Sequence, residues 1–209
     1  MFSISKAPFK LGDYLPGTDL DGNLINQEWL GQRFVVQPSD MAYTAAGRNI
    51  RLRRHGTPLH VVIMRNSSGG ALLPTYVVSP DASAADADPT GIGVIPFLGR
   101  VSGKVGTKGK IGLVVDEFLP AAGVPDKALF FCVYRGIVTV RMPATANYTT
   151  DPAVGSLMVA QADGRAVVQD ASTVAAALDQ TCNLLGRALR ATTSANDGGT
   201  LLIYASVNF

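Results

Sequence analysis

The sequence has few of the residues that build disulfides and metal sites. Of its 209 residues only two are cysteine, Cys132 and Cys182, and only two are histidine, His55 and His60. Structural zinc sites take their ligands in closely spaced pairs, which these residues do not form. Both cysteines lie in apolar sequence, where a cysteine behaves as a small buried hydrophobe. We therefore expect no disulfide framework, no metal and no other cofactor.

Charged residues are also scarce. They make up 16% of the chain, against about 25% in an average protein. The formal net charge of +2 is too weak to indicate nucleic-acid binding, for which a strongly basic domain is typical. Because 47% of the residues are hydrophobic, the chain can bury a core without crosslinks. The low charge indicates that other subunits or a partner cover part of the surface.

Long apolar runs are missing as well. No segment reaches the roughly 18 apolar residues of a membrane-spanning helix, and the longest apolar stretch, 128–140, is interrupted by Arg135. The start, MFSISKAPFKLGDYLPG, lacks the apolar core of a signal peptide. We expect a chain that is made in the cytoplasm and does not enter a membrane.

Most of the sequence consists of short runs rich in β-branched and aromatic residues, and turn-forming residues separate these runs. This spacing predicts a mainly β protein with a sandwich-like or barrel-like body. The Asp163-Gly164 pair predicts a hairpin within 155–169, and a second hairpin is predicted from 184–192 and 200–209. The one helix candidate is 172–185, where Ser172 can cap the N-terminus. The strand-like runs are 33–37, 49–55, 59–66, 73–79, 111–120 and 127–142.

The first thirty residues lack a periodic pattern and contain turn formers, as in LPGTDLDGN. We therefore predict an extended N-terminal arm over 1–30 and a β-rich, capsid-binding body over 31–209; the capsid part of this prediction comes from the resemblance given below. A further boundary within the body is predicted near 143–152.

No motif with catalytic chemistry is complete. The segment GKVGTKGKIG (103–112) does not match a phosphate-binding loop in any register. The turn DADPTG (86–91) begins like a calcium-binding loop, but Phe97 stands where the bidentate glutamate is needed. No G-x-S-x-G elbow occurs, and the neighbouring Asp116 and Glu117 point to opposite faces of a strand. We expect a protein that is not an enzyme.

Two basic clusters, RNIRLRR (48–54) and the glycine-rich segment, are candidate contacts for an acidic protein partner. A solvated edge strand and a mobile basic loop are the simpler interpretations of the two clusters. The aromatic residues of the arm are further candidates. The full set of candidate contact residues is Arg48, Arg51, Arg53, Arg54, Lys104, Lys108, Lys110, Phe2, Phe9 and Trp29.

Three passages together resemble the head-decoration, or cement, proteins of tailed bacteriophages. They are LHVVIMRNSSGGALLPTYVV (59–78), VVDEFLPAAGVPDKALFFCVYRGIVTV (114–140) and DPAVGSLMVAQADGRAVVQ (151–169), the last followed by LLGRALRAT and a closing strand. The resemblance lies in the succession of residues in these passages and in the placement of their turns, and it covers most of 48–207.

The resemblance implies a structural virion protein on the capsid exterior, with the major capsid protein as its partner. It also implies a homo-oligomer, with a trimer favoured, and no catalytic residues. Two alternatives remain open: a phage tail or fibre-base component, and a carbohydrate-binding β module. The second requires an exposed aromatic platform, whereas aromatic residues make up only 7% of the chain.

Overall fold

A computed structural model of the chain describes residues 2–3, 6–37, 44–45, 48–49, 57–80, 100–102, 112–142, 151–160, 164–169, 184–191 and 199–207. Within these ranges eleven strands form one sheet, two further strands pair separately, and a 3-10 turn lies at Gln27–Trp29. The mainly β fold class predicted from the sequence is confirmed.

The strands follow one another as β1 (Phe2–Ser3), β2 (Arg33–Val36), β3 (Thr44–Ala45), β4 (Arg48–Asn49), β5 (Leu59–Asn66), β6 (Val77–Pro80), β7 (Arg100–Ser102), β8 (Leu113–Val115), β9 (Leu129–Arg141), β10 (Leu157–Ala160), β11 (Ala166–Val168), β12 (Leu184–Ala188) and β13 (Thr200–Ser206). The order in the large sheet is β1-β2-β5-β7-β6-β8-β9-β13-β12-β10-β11, and β5 also pairs with β9. β1 and β2 are parallel, as are β5 and β7, and the other pairs are antiparallel.

The long strand β9 connects the sheet. Its first half pairs with β5 and β8, and its second half pairs with β13. An uninterrupted apolar run is typical of a strand that is buried on both faces, and the first half of β9 is such a strand. One face packs into a hydrophobic cluster that we call core 1, and the other into core 2. Core 1 takes Leu129, Phe131 and Val133, and core 2 takes Phe130, Cys132 and Tyr134.

A bulge in β9 lets one face of the strand stay in core 1 along its whole length. Opposite β5 the register shifts between His60, which pairs with Arg135, and Val61, which pairs with Val133. One extra residue reverses the alternation of side chains, so even-numbered residues from Val138 onward enter core 1. Gly136 follows the bulge with a φ of 119°, in a region that favours glycine. The strand-like run predicted at 127–142 is confirmed as β9.

Both predicted hairpins are present. β10 and β11 are antiparallel, with Met158 opposite Val168, and Gly164 adopts a φ of 78° in the turn between them. β12 and β13 are also antiparallel, and their connection at 192–198 lies outside the described residues. The Asp163-Gly164 turn was therefore sufficient to predict the first pairing.

The predicted helix ends too late. The described residues at its C-terminal end, Leu184 and Leu185, begin β12 instead. Leu184 pairs with Val159 of β10, and Leu185 is fully buried in core 1, so sheet pairing overrides the helical spacing at this end. Residues 172–183 lie outside the described residues, as do 143–150 of the predicted boundary.

The N-terminal segment has little regular secondary structure, but its side chains enter the core. Phe9 and Leu11 are buried in core 1. Leu15 and Leu129 exchange two backbone hydrogen bonds, of 2.9 and 2.8 Å. The division at residue 30 into arm and body stays a prediction, and the packing makes 6–37 part of the structural unit that contains the sheet.

Replacing Gly136 by alanine is expected to destabilise the fold by about 2 kcal/mol or more, because of backbone strain and a close contact. A Cβ at this position would lie 2.8 Å from the carbonyl oxygen of Pro58. Gly70→Ala is the matched control, because a Cβ there would meet nothing within 4 Å. Urea denaturation measures both variants. Equal free energies of unfolding for the two would contradict the assigned role of the bulge.

Replacing Phe9 by alanine is expected to lower the free energy of unfolding by about 3 kcal/mol, as for other buried phenylalanines. Its ring centroid lies 4.4 Å from that of Phe131. Leu20→Ala, at a fully exposed position of the same segment, is expected to change stability by less than about 0.5 kcal/mol. If thermal denaturation shows the same small effect for both, the N-terminal segment does not contribute to the core.

Candidate partner-binding surface

Alternation along three neighbouring strands places polar side chains on one face of the sheet. In β2, Phe34 and Val36 enter core 1, so the side chain of Arg33 lies on the opposite face. In β5, His60 lies between two core 1 residues in the same way. In β9, Tyr134 belongs to core 2. Because β2, β5 and β9 are adjacent, these three side chains meet.

The contacts between them are aromatic and cationic. The guanidinium carbon of Arg33 lies 5.8 Å from the centroid of the Tyr134 ring. The ring of His60 meets the same tyrosine edge-on, with the centroids 5.8 Å apart. Arg135 is the cross-strand partner of His60 on one side and of Ser206 on the other. We call Arg33, His60, Tyr134 and Arg135 the cationic–aromatic cluster.

The cluster combines exposed charge with a buried ring. Both arginines are exposed, His60 is half-buried and Tyr134 is buried. Burial lowers the pKa of His60, and the charge of Arg135 lowers it further. Burial raises the pKa of Tyr134, against the opposing effects of Arg33 and Arg135. At neutral pH the positive charge of the cluster is therefore carried by the two guanidinium groups, which pair with carboxylates in a bidentate geometry.

The residues that the sequence singled out as partner contacts are placed unevenly. Phe9 is buried in core 1, and Trp29 is partly buried against the same core. For Phe2 in β1 and Arg48 in β4 the structure describes the backbone. The other candidates lie outside the described residues: Arg51, Arg53, Arg54, Lys104, Lys108 and Lys110. A partner contact by any of them stays a prediction.

Sequence reasoning missed the cationic–aromatic cluster. Arg135 was visible only as the residue that interrupts an apolar run. His60 was visible only as a histidine in a strand-like run that forms no zinc-ligand pair. The missing information is long-range: the sequence does not show that β5 lies between β2 and β9. The bulge that sets Arg135 opposite His60 follows from the same pairing.

Two other groups have structural explanations. The carboxylate of Asp19 accepts hydrogen bonds from the side-chain amide and the backbone of Asn23 and from the backbone of Asp21, which hold its pKa below the usual value. The 19–23 loop is thus a turn capped by its own carboxylate. Burial raises the pKa of the Cys132 thiol well above its ordinary value, and Asp116 adds to this effect.

The described residues contain neither a metal-binding cluster nor a membrane-spanning helix. They contain no group of three or more His, Cys, Asp or Glu side chains placed to hold a metal ion. No helix in the same part of the chain has the length and apolar character needed to cross a membrane.

Comparison with known solved structures gives a weak similarity. No family model and no curated protein sequence matches the chain. Among solved structures, the chain is similar to the N base of the head fibre gp8.5 of bacteriophage phi29, with 11% sequence identity and a TM-score of 0.36. The match covers 70% of this chain and 94% of that one. At this TM-score the similarity carries no argument about fold or function.

The lowered pKa of His60 predicts a dependence of stability on pH. The folded state disfavours the protonated ring, so stability is highest above the ordinary histidine pKa of about 6.5 and falls as the pH drops below it. The free energy of unfolding is compared at about pH 7.5 and 5, for the native chain and His60→Gln. We expect a smaller acid-induced loss in the variant. An equal loss in both would contradict the assigned environment of His60.

Proposed function

We propose that this chain is a structural protein of a bacteriophage particle, which binds the outer surface of the capsid and stabilises the shell. The observation that carries the proposal is the resemblance of three passages to head-decoration proteins. These passages occupy connected parts of the sheet. Residues 59–78 contain β5, 114–140 contain most of β8 and β9, and 151–169 contain β10 and β11. β5 pairs with β9, which is joined to β10 through β13 and β12.

The extent of core 1 supports this role, because it packs distant parts of the chain into one unit. Core 1 extends from the N-terminal segment, at Phe9 and Leu11, to β13, at Leu201 and Ile203. A protein that braces a shell binds through many distributed contacts, in which strand edges and buried apolar surface supply most of the affinity. The major capsid protein is the proposed partner, and assembly as a homo-oligomer, with a trimer favoured, multiplies those contacts.

The copy number of the chain in purified phage particles tests this proposal. Quantitative mass spectrometry against the major capsid protein is expected to give one copy per shell subunit, or a simple fraction of that number. About a dozen copies or fewer would assign the chain to a tail or fibre base, because such structures sit at the few symmetry axes of a particle. Absence from the particle would overturn the structural role, and a glycan array would then test the carbohydrate-binding alternative.

A further inference from the structure

We propose that two surfaces of this chain bind each other between neighbouring copies. The acidic loop 18–24 of one copy docks on an arginine-flanked apolar patch around Val154 and Leu189 of the next copy. The inference goes beyond the proposed homo-oligomer, because it names the residues in contact, and it does not depend on binding to a capsid.

The large apolar side chains that are exposed among the described residues lie in two places. Tyr14, Leu20 and Leu24 belong to the N-terminal segment, whereas Val154 and Leu189 lie just outside the ends of β10 and β12. A single exposed apolar residue is ordinary in a folded protein. Exposed apolar residues that are gathered into groups are typical of interaction surfaces.

The acidic loop presents an apolar tip between carboxylates. Leu20 is fully exposed and stands between Asp19 and Asp21. The carboxylate of Asp19 accepts hydrogen bonds from the backbone nitrogens of Asp21 and Asn23, at 3.0 and 2.8 Å, which hold the loop in one conformation. Residues 11–32 contain four acidic residues and no lysine or arginine. A loop that is ordered before it binds loses less conformational entropy on binding.

The second surface, which we call the arginine patch, consists of Val154, Arg187, Leu189 and Arg190. Val154 and Leu189 lie close together, because the residues beside them, Gly155 and Ala188, are joined by a backbone hydrogen bond of 2.8 Å. The guanidinium of Arg187 donates to the carbonyl oxygen of Gly155 at 3.2 Å, which sets its charge beside the apolar pair. Alternation along β12 places Arg187 and Leu189 on the same exposed face.

The charges of the arginine patch complement those of the acidic loop. Arg190 donates to the carbonyl oxygen of Thr200 at 3.3 Å. This bond and that of Arg187 end on backbone oxygens, so they orient the two guanidinium groups without neutralising them. A guanidinium has five N–H donors and can bind a carboxylate through two of them. Within 151–160 and 184–191 the two arginines outnumber the single acidic residue, Asp151.

The two surfaces do not meet within one chain, since Leu20 and Val154 are both exposed in it. The acidic loop follows Leu15, which is hydrogen-bonded to Leu129 at the start of β9. The arginine patch lies beside the second half of β9, which β13 separates from β12. A second copy supplies the missing partner of each surface. A contact between different surfaces of two copies is head-to-tail, and such contacts can close into a ring.

Sedimentation equilibrium of the full chain measures the dissociation constant of this contact. Leu20→Ala is expected to raise it at least about tenfold, because the contact loses a buried leucine. Arg187→Glu is expected to raise it by a similar factor, because it sets a like charge against the acidic loop. Lys6→Glu is the matched control, since it reverses a charge at an exposed position outside both surfaces. We expect less than about a twofold change for it.

Mixing the two variants tests whether the surfaces bind each other. Leu20→Ala has a defective loop and an intact arginine patch, and Arg187→Glu has the reverse. At a concentration where each variant alone is monomeric, we expect the mixture to form pairs that contain one copy of each. Circular dichroism establishes that both variants retain the fold, as expected for substitutions at exposed positions.

Four outcomes would overturn the proposal. A native chain that is monomeric at about 0.1 mM, where contacts of micromolar affinity are saturated, has no such contact; the copy number in phage particles still tests the proposed function separately. Equal weakening by Lys6→Glu and Arg187→Glu would show general charge attraction. A mixture of the two variants that stays monomeric would show that loop and patch do not bind each other. A monomeric native chain whose copy number in particles falls with Arg187→Glu would assign the patch to the capsid protein.

Discussion

The pairing of β9 with three other strands is the constraint on which the rest of the structure depends. A single strand supplies residues to both cores and joins β5 and β8 to β13. Side chains alternate between the two faces of a strand, so a one-residue shift in register would move the apolar side chains of β9 from core 1 to the other face. The bulge before Gly136 reverses the alternation of side chains once, at the point in β9 where pairing with β5 ends and pairing with β13 begins. The glycine is required there because its positive φ and its approach to Pro58 leave no room for a side chain.

Buried polar groups hold the segments that the sheet itself does not pair. Asn66 is fully buried at the end of β5, and its side-chain nitrogen donates to the carbonyl oxygens of Gly70 and Val124, at 2.7 and 2.9 Å. It thereby ties two turns together that are distant in sequence. Asp116 is also buried and accepts a 2.6 Å hydrogen bond from the backbone nitrogen of Gly12. Because an unsatisfied buried polar group is costly, each of these side chains fixes one arrangement of the surrounding chain.

The parts of the fold that could be predicted from sequence are those decided by neighbouring residues. The hairpin at Asp163-Gly164 and the alternation after Gly136 both follow from local spacing. The packing of the first thirty residues could not be predicted, because the isolated apolar residues Phe9 and Leu11 form no periodic pattern that marks a buried face. The strand that begins at Leu184 was missed for the opposite reason. The helical spacing of apolar residues continues to Leu185, although this residue belongs to a strand of the sheet.

The same distinction explains the cationic–aromatic cluster. Its members come from β2, β5 and β9, and only long-range pairing brings them together. Basic residues that are close in sequence, at 48–54 and 103–112, were the candidates that the sequence offered. Closeness along the chain does not by itself orient their charges. In the cluster the arginines stand on paired strands, and the ring that orients Arg33 is itself held in core 2. A site supported by packed strands keeps its geometry better than one on loops. Strand pairing thus gathers positive charge on one face of a chain whose net charge is only +2.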